Sequence, residues 1–207
     1  MRLLLLSLLV SVYGFSQTPP NAQFTASPLV VCLEQGIHFT NQSTAGTSPI
    51  TSYSWDFGDG NASTTQNPTH VYSAPGTYTV TLTVQAANGQ ADFELKSAYV
   101  KVNPKPNPNF TVTANGCSLP VSVSFNNTST GATSYAWNFG NSQTSTLQNP
   151  AAVNYTSAGT YNVTLIATNS FGCKDTLVKP IVVSNFQAGI TAPATACQNT
   201  PVSITSS

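Results

Sequence analysis

The stretch "WDFGDG", from Trp55 to Gly60, decides how the rest of this sequence is interpreted. It places two of the six acidic residues of the chain, Asp56 and Asp59, beside a Trp and two Gly. Such a stretch is either a metal-binding loop or the end of a strand followed by a turn. Whether the stretch recurs, and what the copy keeps, separates these two interpretations.

The stretch recurs 82 residues later as "WNFGNS", from Trp137 to Ser142. A second segment, "PGTYTVTLTV" from Pro75, recurs as "AGTYNVTLIA" from Ala158. Self-similarity at a fixed spacing is the signature of repeated structural units. The sequence therefore predicts a repeat array with these parts: a signal peptide at 1–16, a first unit at 20–103, a linker at 104–109, a second unit at 110–184 and an incomplete third unit at 185–207.

Within each unit the side-chain period is two. Tyr53, Trp55 and Phe57 alternate with small or polar residues, and "TYTVTLTV" from Thr77 alternates apolar residues with Thr. This alternation predicts half-buried strands, and the Gly, Pro and Asn residues between them predict turns. The expected fold is all-β: tandem immunoglobulin-like antiparallel β-sandwiches, with a truncated third repeat.

The composition excludes several classes of partner. The 207 residues carry six basic and six acidic side chains. The polar residues expected at the surface are instead mainly uncharged, with 24 Ser, 29 Thr and 19 Asn in the chain. Neither nucleic acid nor anionic lipid would be attracted electrostatically. The start of the chain, with Arg2, an apolar run from Leu3 to Val12 and small residues before Gln17, predicts a secretory signal peptide. We expect a secreted or cell-surface protein without membrane insertion of its mature part.

The first unit resembles a known family. "WDFGDG" followed by "QNPTHVYSAPGTYTVTLTV" is similar to the polycystic kidney disease domain, the PKD repeat. In the second unit Asn138 and Asn141 stand where the acids would be, Ser142 stands for the last Gly, and Asn154 is expected at the place of His70. The resemblance implies an extracellular, immunoglobulin-like module for spacing, adhesion, or protein or carbohydrate interaction. It carries no catalytic residue and no cofactor.

One set of residues is expected to be structural. The aromatic residues of the two Trp motifs lie on the predicted core face, the Gly of each motif serves the bend, and a Tyr opens a late strand of each unit. These residues are Trp55, Phe57, Gly58, Tyr78, Trp137, Phe139, Gly140 and Tyr161.

The only candidate metal ligands are Asp56, Asp59 and Asn61, whose oxygens suit Ca²⁺. Their spacing is not that of a recognised calcium loop, and the second unit replaces both acids by amides. The sequence therefore favours hydrogen-bonded turn residues, with no metal bound.

Catalysis is not predicted. The only histidines are His38, expected on the outer face of a strand, and His70, expected to form a structural hydrogen bond. No nucleophile-elbow motif and no zinc-binding His pair occurs in the sequence.

The four cysteines would meet an oxidising environment after export. Cys117 lies early in the second unit and Cys173 lies in the predicted turn between its last two strands. A bridge between them would close a loop of about 55 residues and add about 4 kcal/mol on the chain-entropy model, provided that the strand ends approach within about 7 Å. The alternative is a pair of free thiols. Cys32 has no partner in its own unit, and the state of Cys197 is left open.

Three functions follow as hypotheses. The first is a non-enzymatic interaction or spacer array of monomeric modules in a longer chain, with an extracellular protein or carbohydrate as partner. The second is the accessory half of a secreted hydrolase, a peptidase or a polysaccharide-degrading enzyme, whose catalytic domain lies beyond residue 207. The third is direct carbohydrate recognition through exposed aromatic side chains, for which Tyr99 and Phe171 are the freer candidates.

Overall fold

The computed structural model of the chain describes residues 17–116 and 118–185. The chain is all-β over this part and divides into two compact units between Val102 and Asn103. No helix in the described part is long and apolar enough to cross a membrane. The predicted signal peptide at 1–16 and residues 186–207 of the predicted third unit lie outside the described residues.

Unit 1 is a sandwich of two antiparallel sheets. A three-stranded sheet has the order β1-β3-β6, and a five-stranded sheet has the order β2-β8-β7-β4-β5. The strands are β1 (Phe24–Ser27), β2 (Val30–Cys32), β3 (Gly36–Asn41), β4 (Ile50–Asp56), β5 (Ala62–Ser63), β6 (Thr69–Val71), β7 (Gly76–Ala86) and β8 (Ala91–Asn103).

Unit 2 repeats this architecture with one strand fewer. Its sheets have the orders β13-β10-β9 and β12-β11-β14-β15. The strands are β9 (Phe110–Asn115), β10 (Val121–Asn127), β11 (Ser134–Asn138), β12 (Thr144–Ser145), β13 (Val153–Tyr155), β14 (Gly159–Thr168) and β15 (Lys174–Val183). The predicted fold class, tandem immunoglobulin-like β-sandwiches, is confirmed.

The period of two places one face of every long strand in a core. On β7, Val80, Leu82 and Val84 are fully buried, while the Thr residues between them face outward. On β14, Val163, Leu165 and Ala167 are buried in the same way. Each unit therefore has its own hydrophobic core between its two sheets.

A buried Trp occupies the centre of each core. Trp55 is 0 % exposed, and its ring packs against Phe24 and Phe39. Its Nε1–H donates to the carbonyl of Thr65 at 2.9 Å. In unit 2, Trp137 makes the equivalent bond to the carbonyl of Leu147 at 3.0 Å. Burial of such a ring with its N–H satisfied is worth about 3 to 5 kcal/mol relative to Ala.

Two tyrosines in each unit fix the chain on either side of the loop before the long strand. The Tyr78 hydroxyl donates to the Ala74 carbonyl at 2.7 Å, and Tyr161 repeats the bond to Ser157 at 2.9 Å. This four-residue closure corresponds to the tyrosine corner of immunoglobulin-like sandwiches. The Tyr155 hydroxyl donates to the carbonyl of Phe139 at 2.8 Å. Burial, with a smaller contribution from Tyr161, raises the pKa of Tyr155 to about 12.

In unit 1, side chains of the last strand, β8, form hydrogen bonds with backbone groups at the start of the first strand, β1, and just before it. Asp92 accepts the N–H of Ala22 at 2.8 Å, and Glu94 accepts that of Phe24 at 2.8 Å. Lys96 donates to the Phe24 carbonyl and lies over the Phe24 ring. An edge strand with unpaired backbone groups is a site for unwanted strand pairing. The three charged side chains close this edge.

In unit 2, Lys179 and Asp175 stand at the places of Lys96 and Asp92, and Leu177 replaces Glu94. Asp175 bonds its neighbour Thr176, so the lysine is the member of the set that bonds the first strand there. Lys179 donates to the Phe110 carbonyl and to Asn109, each at 2.8 Å, and lies over the Phe110 ring. The two units also differ in their first strand. In unit 1 the chain continues from β1 into β2 of the other sheet, whereas no strand corresponding to β2 lies between β9 and β10 in the described part of unit 2.

Gly58 is required by a close approach as well as by its backbone conformation. Its φ is +76°, and a Cβ at this position would lie 2.3 Å from the carbonyl oxygen of Thr79. Gly60 has a similar φ of +86°, but a Cβ there would meet no heavy atom within 4 Å. A side chain at Gly60 would therefore cause backbone strain alone, whereas a side chain at Gly58 would cause both backbone strain and a steric clash.

We expect Gly60→Ala to lower the unfolding free energy of unit 1 by about 1 to 2 kcal/mol, the cost of a left-handed conformation. Gly58→Ala adds a clash with backbone and should cost about 3 kcal/mol or more. Urea denaturation of both variants measures the difference. Equal losses in the two variants would contradict the close-approach role of Gly58.

Candidate functional site

The Trp motif of unit 1 ends strand β4 in a turn that its own acids hold. The Asp56 Oδ1 accepts the N–H of Gly58 at 2.8 Å. In unit 2, Asn138 Oδ1 accepts the N–H of Gly140 at 2.9 Å. An amide oxygen and a carboxylate oxygen serve equally well in such a turn. The bond at this position therefore depends on an oxygen and not on a charge.

Asp59 is the most heavily bonded acid of the motif. Its Oδ1 accepts the N–H of Asn61 at 3.0 Å, and its Oδ2 accepts the Asn61 side-chain amide at 3.0 Å. The same Oδ2 lies 2.8 Å from Nε2 of His70, which is on β6 in the other sheet. The Asp59 side chain is 8 % exposed and that of His70 is 13 % exposed. The pair therefore ties the turn after β4 to the opposite sheet.

Aromatic rings hold His70 in place. Its imidazole stacks flat on Phe57, with ring centroids 4.1 Å apart and planes 5° from parallel. Tyr72 meets the imidazole edge to face at 4.6 Å. Burial opposes the ionisation of Asp59, but hydrogen bonds from His70 and Asn61 outweigh it, so the pKa of Asp59 lies below its ordinary value of 3.8. The geometry stabilises the ionised carboxylate.

These bonds use the oxygens that the sequence offered as calcium ligands. A calcium ion at Asp59 would have to replace the hydrogen bonds from His70 and Asn61, and one at Asp56 the bond from Gly58. Within residues 17–116 and 118–185, no cluster of three or more His, Cys, Asp or Glu residues could hold a metal ion.

The residue at the place of His70 in unit 2 is Val153, so the expectation of Asn154 there is wrong. His70 pairs with Ile37 across the sheet, and Val153 pairs with Val123, the counterpart of Ile37. The reason is one extra residue: two alanines separate Pro150 from Val153, where Thr69 alone separates Pro68 from His70. Unit 2 thus replaces the acid and the histidine together, by Asn141 and Val153.

The remaining acids also bond to the chain's own groups. Asp92 and Glu94 close the edge of β1, and Asp175 accepts the N–H of Thr176 at 2.9 Å. Asp56, Asp59, Asp92, Glu94 and Asp175 therefore all accept hydrogen bonds from groups of their own unit. His38, predicted on an outer face, is exposed and bonds Thr69 Oγ1 at 3.2 Å.

Cys32 and Cys173 are both disulfide-bonded, and Cys173 is fully buried. Cys117 and Cys197 lie outside the described residues, so the bridge between Cys117 and Cys173 stays a prediction.

The candidate aromatic residues differ in their surroundings. Tyr99 is half-buried: its hydroxyl accepts the N–H of Ala26 at 3.1 Å and its ring packs edge to face on Phe24. Phe171 is 54 % exposed near the tip of the last hairpin of unit 2. Sequence reasoning missed Phe93, which is 64 % exposed on the outer face of β8. The period of the strand gave no signal for this, because Phe93 shares its face with Ala91 and Leu95, while the charged Asp92 and Glu94 on the alternate face bond the first strand.

Comparison with known proteins identifies relatives of both units. The family model described as "PKD domain" matches residues 17–102 and 101–184. Collagenase ColA of Bacillus cereus is 46 % identical over 61 residues, 30 % of this chain and 6 % of that protein. The pre-pro-metalloprotease PrtV of Vibrio cholerae is 43 % identical over 60 residues, 28 % of this chain and 6 % of that protein. The matches thus span less than a tenth of these curated relatives.

Among solved structures, the PKD1 domain of the Vibrio cholerae metalloprotease PrtV is similar, with 34 % identity and a TM-score of 0.37. The similarity covers 42 % of this chain and 99 % of that one. The PKD1 domain of Vibrio anguillarum Epp is 29 % identical over the same shares, also with a TM-score of 0.37.

We expect Asp59→Asn to lower the unfolding free energy of unit 1 by about 1 to 3 kcal/mol at pH 6, because a charged hydrogen bond is lost. Since the folded-state pKa of Asp59 is lowered, its contribution is present above pH 3.8 and is lost as the pH falls through the folded-state value. The difference between the parent and the variant should therefore shrink in acid.

The measurement is urea denaturation at several pH values, followed by the indole N–H signals of Trp55 and Trp137, one in each unit. Asp175→Asn in unit 2 is the matched control. The hydrogen bond described for Asp175 comes from the backbone N–H of the next residue, Thr176. A difference between parent and Asp59→Asn that stays constant from pH 6 to pH 2 would refute the role given to the carboxylate.

Proposed function

The chain belongs to the PKD domain family, and we propose that its two units are non-enzymatic interaction and spacer modules of an exported protein. The observation that carries this proposal is the use of the polar side chains. Asp56, Asp59, Asp92 and Glu94, together with His70, are engaged in holding turns and strand edges of their own unit. A catalytic acid, base or nucleophile needs a polar group aimed at a substrate instead.

Export rests on the sequence at the N-terminus. A single positive charge, an apolar run too short to span a bilayer and small residues before Gln17 are typical of a cleaved signal peptide. Cys32 and Cys173 are each part of a disulfide bond, which supports export to an oxidising compartment. The partner class is an extracellular protein or carbohydrate, bound by monomeric modules of a longer chain.

A second candidate is narrower: the units are accessory modules of a secreted hydrolase, with the catalytic domain elsewhere in the longer protein. The similarity to segments of a collagenase and of the metalloprotease PrtV favours this candidate. Direct carbohydrate recognition is less favoured, because Tyr99 is committed to Ala26 and Phe24.

Deletion of residues 17–184 from the full-length protein tests the accessory role. If the units only hold or present a catalytic domain, the deletion should lower turnover of an insoluble polymeric substrate several-fold. It should leave turnover of a small soluble substrate unchanged, because the catalytic site is intact. The isolated chain should hydrolyse neither substrate.

Two results would contradict the proposal. Turnover by the isolated chain would show that it contains a catalytic site. Equal loss on both substrates, with the catalytic domain still folded by circular dichroism, would place the units in the catalytic machinery. If the full-length protein has no hydrolase activity, the spacer and interaction role remains, and binding of the isolated chain to an extracellular matrix fraction tests it.

A further inference from the structure

Unit 2 contains a shallow, uncharged hollow beside Phe139, where unit 1 has His70 stacked on Phe57. We propose that this hollow binds an extended, uncharged peptide segment and takes up one apolar side chain of it. The proposal rests on the interaction role proposed above, since it names a surface and a ligand class for that role.

The hollow has a volume of about 210 Å³ and lies beside two short strands of unit 2. Its polar side is residues 143–145, which include β12, and its apolar side is residues 150–153, which lead into β13. Phe139 forms part of the lining, and Leu147 on the rim is 61 % exposed. Leu147 is the one exposed large apolar side chain of this lining, whereas Phe139 and Val153 are buried beneath it.

Unit 1 shows what normally occupies this place. There His70 lies flat on Phe57 and bonds Asp59 across the gap between the sheets. In unit 2, Val153 replaces His70 and Asn141 replaces Asp59, so the stacked ring and its hydrogen bond to an acid are both absent from the described part of that unit. The extra alanine between Pro150 and Val153 lengthens the segment that borders the hollow.

The surroundings determine the chemistry of the ligand. None of the nine residues that line the hollow is charged, so a charged ligand group would lose its hydration without gaining a partner. The volume suits a single large apolar side chain. Both β12 and β13 are terminal strands of their sheets over the described residues. Terminal strands offer backbone N–H and C=O groups that an extended peptide pairs with, while a pocket beside them selects its side chain.

The test uses the chain without residues 1–16, labelled with ¹⁵N, and a capped probe peptide, Thr-Ser-Thr-Leu-Thr-Ser-Thr. We expect saturable amide shifts at Thr144, Ser145, Leu147 and Val153, with a dissociation constant in the millimolar range. The same peptide with Ser in place of Leu should bind at least tenfold more weakly, because the hollow then receives no apolar side chain.

Two variants of the chain sharpen the test. Leu147→Ser changes an exposed rim residue and keeps its backbone carbonyl for Trp137, so the unit should fold and bind at least fivefold more weakly. Val178→Ser is the matched control, since Val178 is 52 % exposed on β15 and does not line the hollow. It should bind like the parent. The Trp137 indole N–H signal reports folding in each variant.

Several outcomes would overturn the inference: no saturable shift, shifts centred outside the hollow, equal binding of the Leu and Ser peptides, or unchanged binding by Leu147→Ser. The inference also fails if a neutral oligosaccharide or a second copy of the chain, followed by sedimentation, takes the hollow in preference to the peptide. The proposed function would survive each of these, because it rests on the deletion experiment. Catalysis by the isolated chain would reject that function even if the peptide bound.

Discussion

Burial of one Trp, with its single N–H satisfied, is the constraint on which each unit depends. The indole of Trp55 must lie between the sheets and still reach the Thr65 carbonyl, so strand β4 and the loop after β5 are fixed together. Trp137 imposes the same arrangement in unit 2 through Leu147. The flanking Phe residues, the bend at the motif Gly and the Tyr closure all follow from the need to enclose this ring.

The acidic side chains described above bond mainly to backbone N–H groups of their own unit. In a protein with 6 % charged residues, the use of acids at strand edges and turns leaves a surface dominated by hydroxyl and amide groups. The acid and histidine pair of unit 1 is one way to close the gap between the sheets, and unit 2 uses a smaller apolar side chain instead. An apolar side chain needs no hydrogen-bond partner when it is buried, so unit 2 can have Val153 there without an acid to bond it.

The sequence predicted the strands, the duplication and the aromatic core, because those depend on a period of two and on local motifs. It predicted that Asp56 and Asp59 serve turns, since the copy keeps amides there. The partner of Asp59 could not be predicted, because His70 approaches it from the opposite sheet. The alignment of His70 with Asn154 failed for a related reason. The extra alanine in unit 2 cannot be located from the sequence motifs, and the pairing of Val153 with Val123 is what identifies the counterpart of His70. Closure of β1 by Asp92 and Glu94 likewise requires the packed sandwich.

The side-chain bonds at the ends of β3 and β10 alter the meaning of a common motif. Asn127-Thr128-Ser129 matches the signal for N-linked glycan attachment. Here the Asn127 oxygen accepts the N–H of Ser129, its nitrogen donates to the Gln148 carbonyl, and Ser129 bonds both backbone groups of Asn109. Asn41 and Ser43 form the corresponding turn in unit 1. In the folded unit the tripeptide therefore joins the end of β10 to the segment before β9 and to the loop before β13, a structural role that the sequence motif does not indicate.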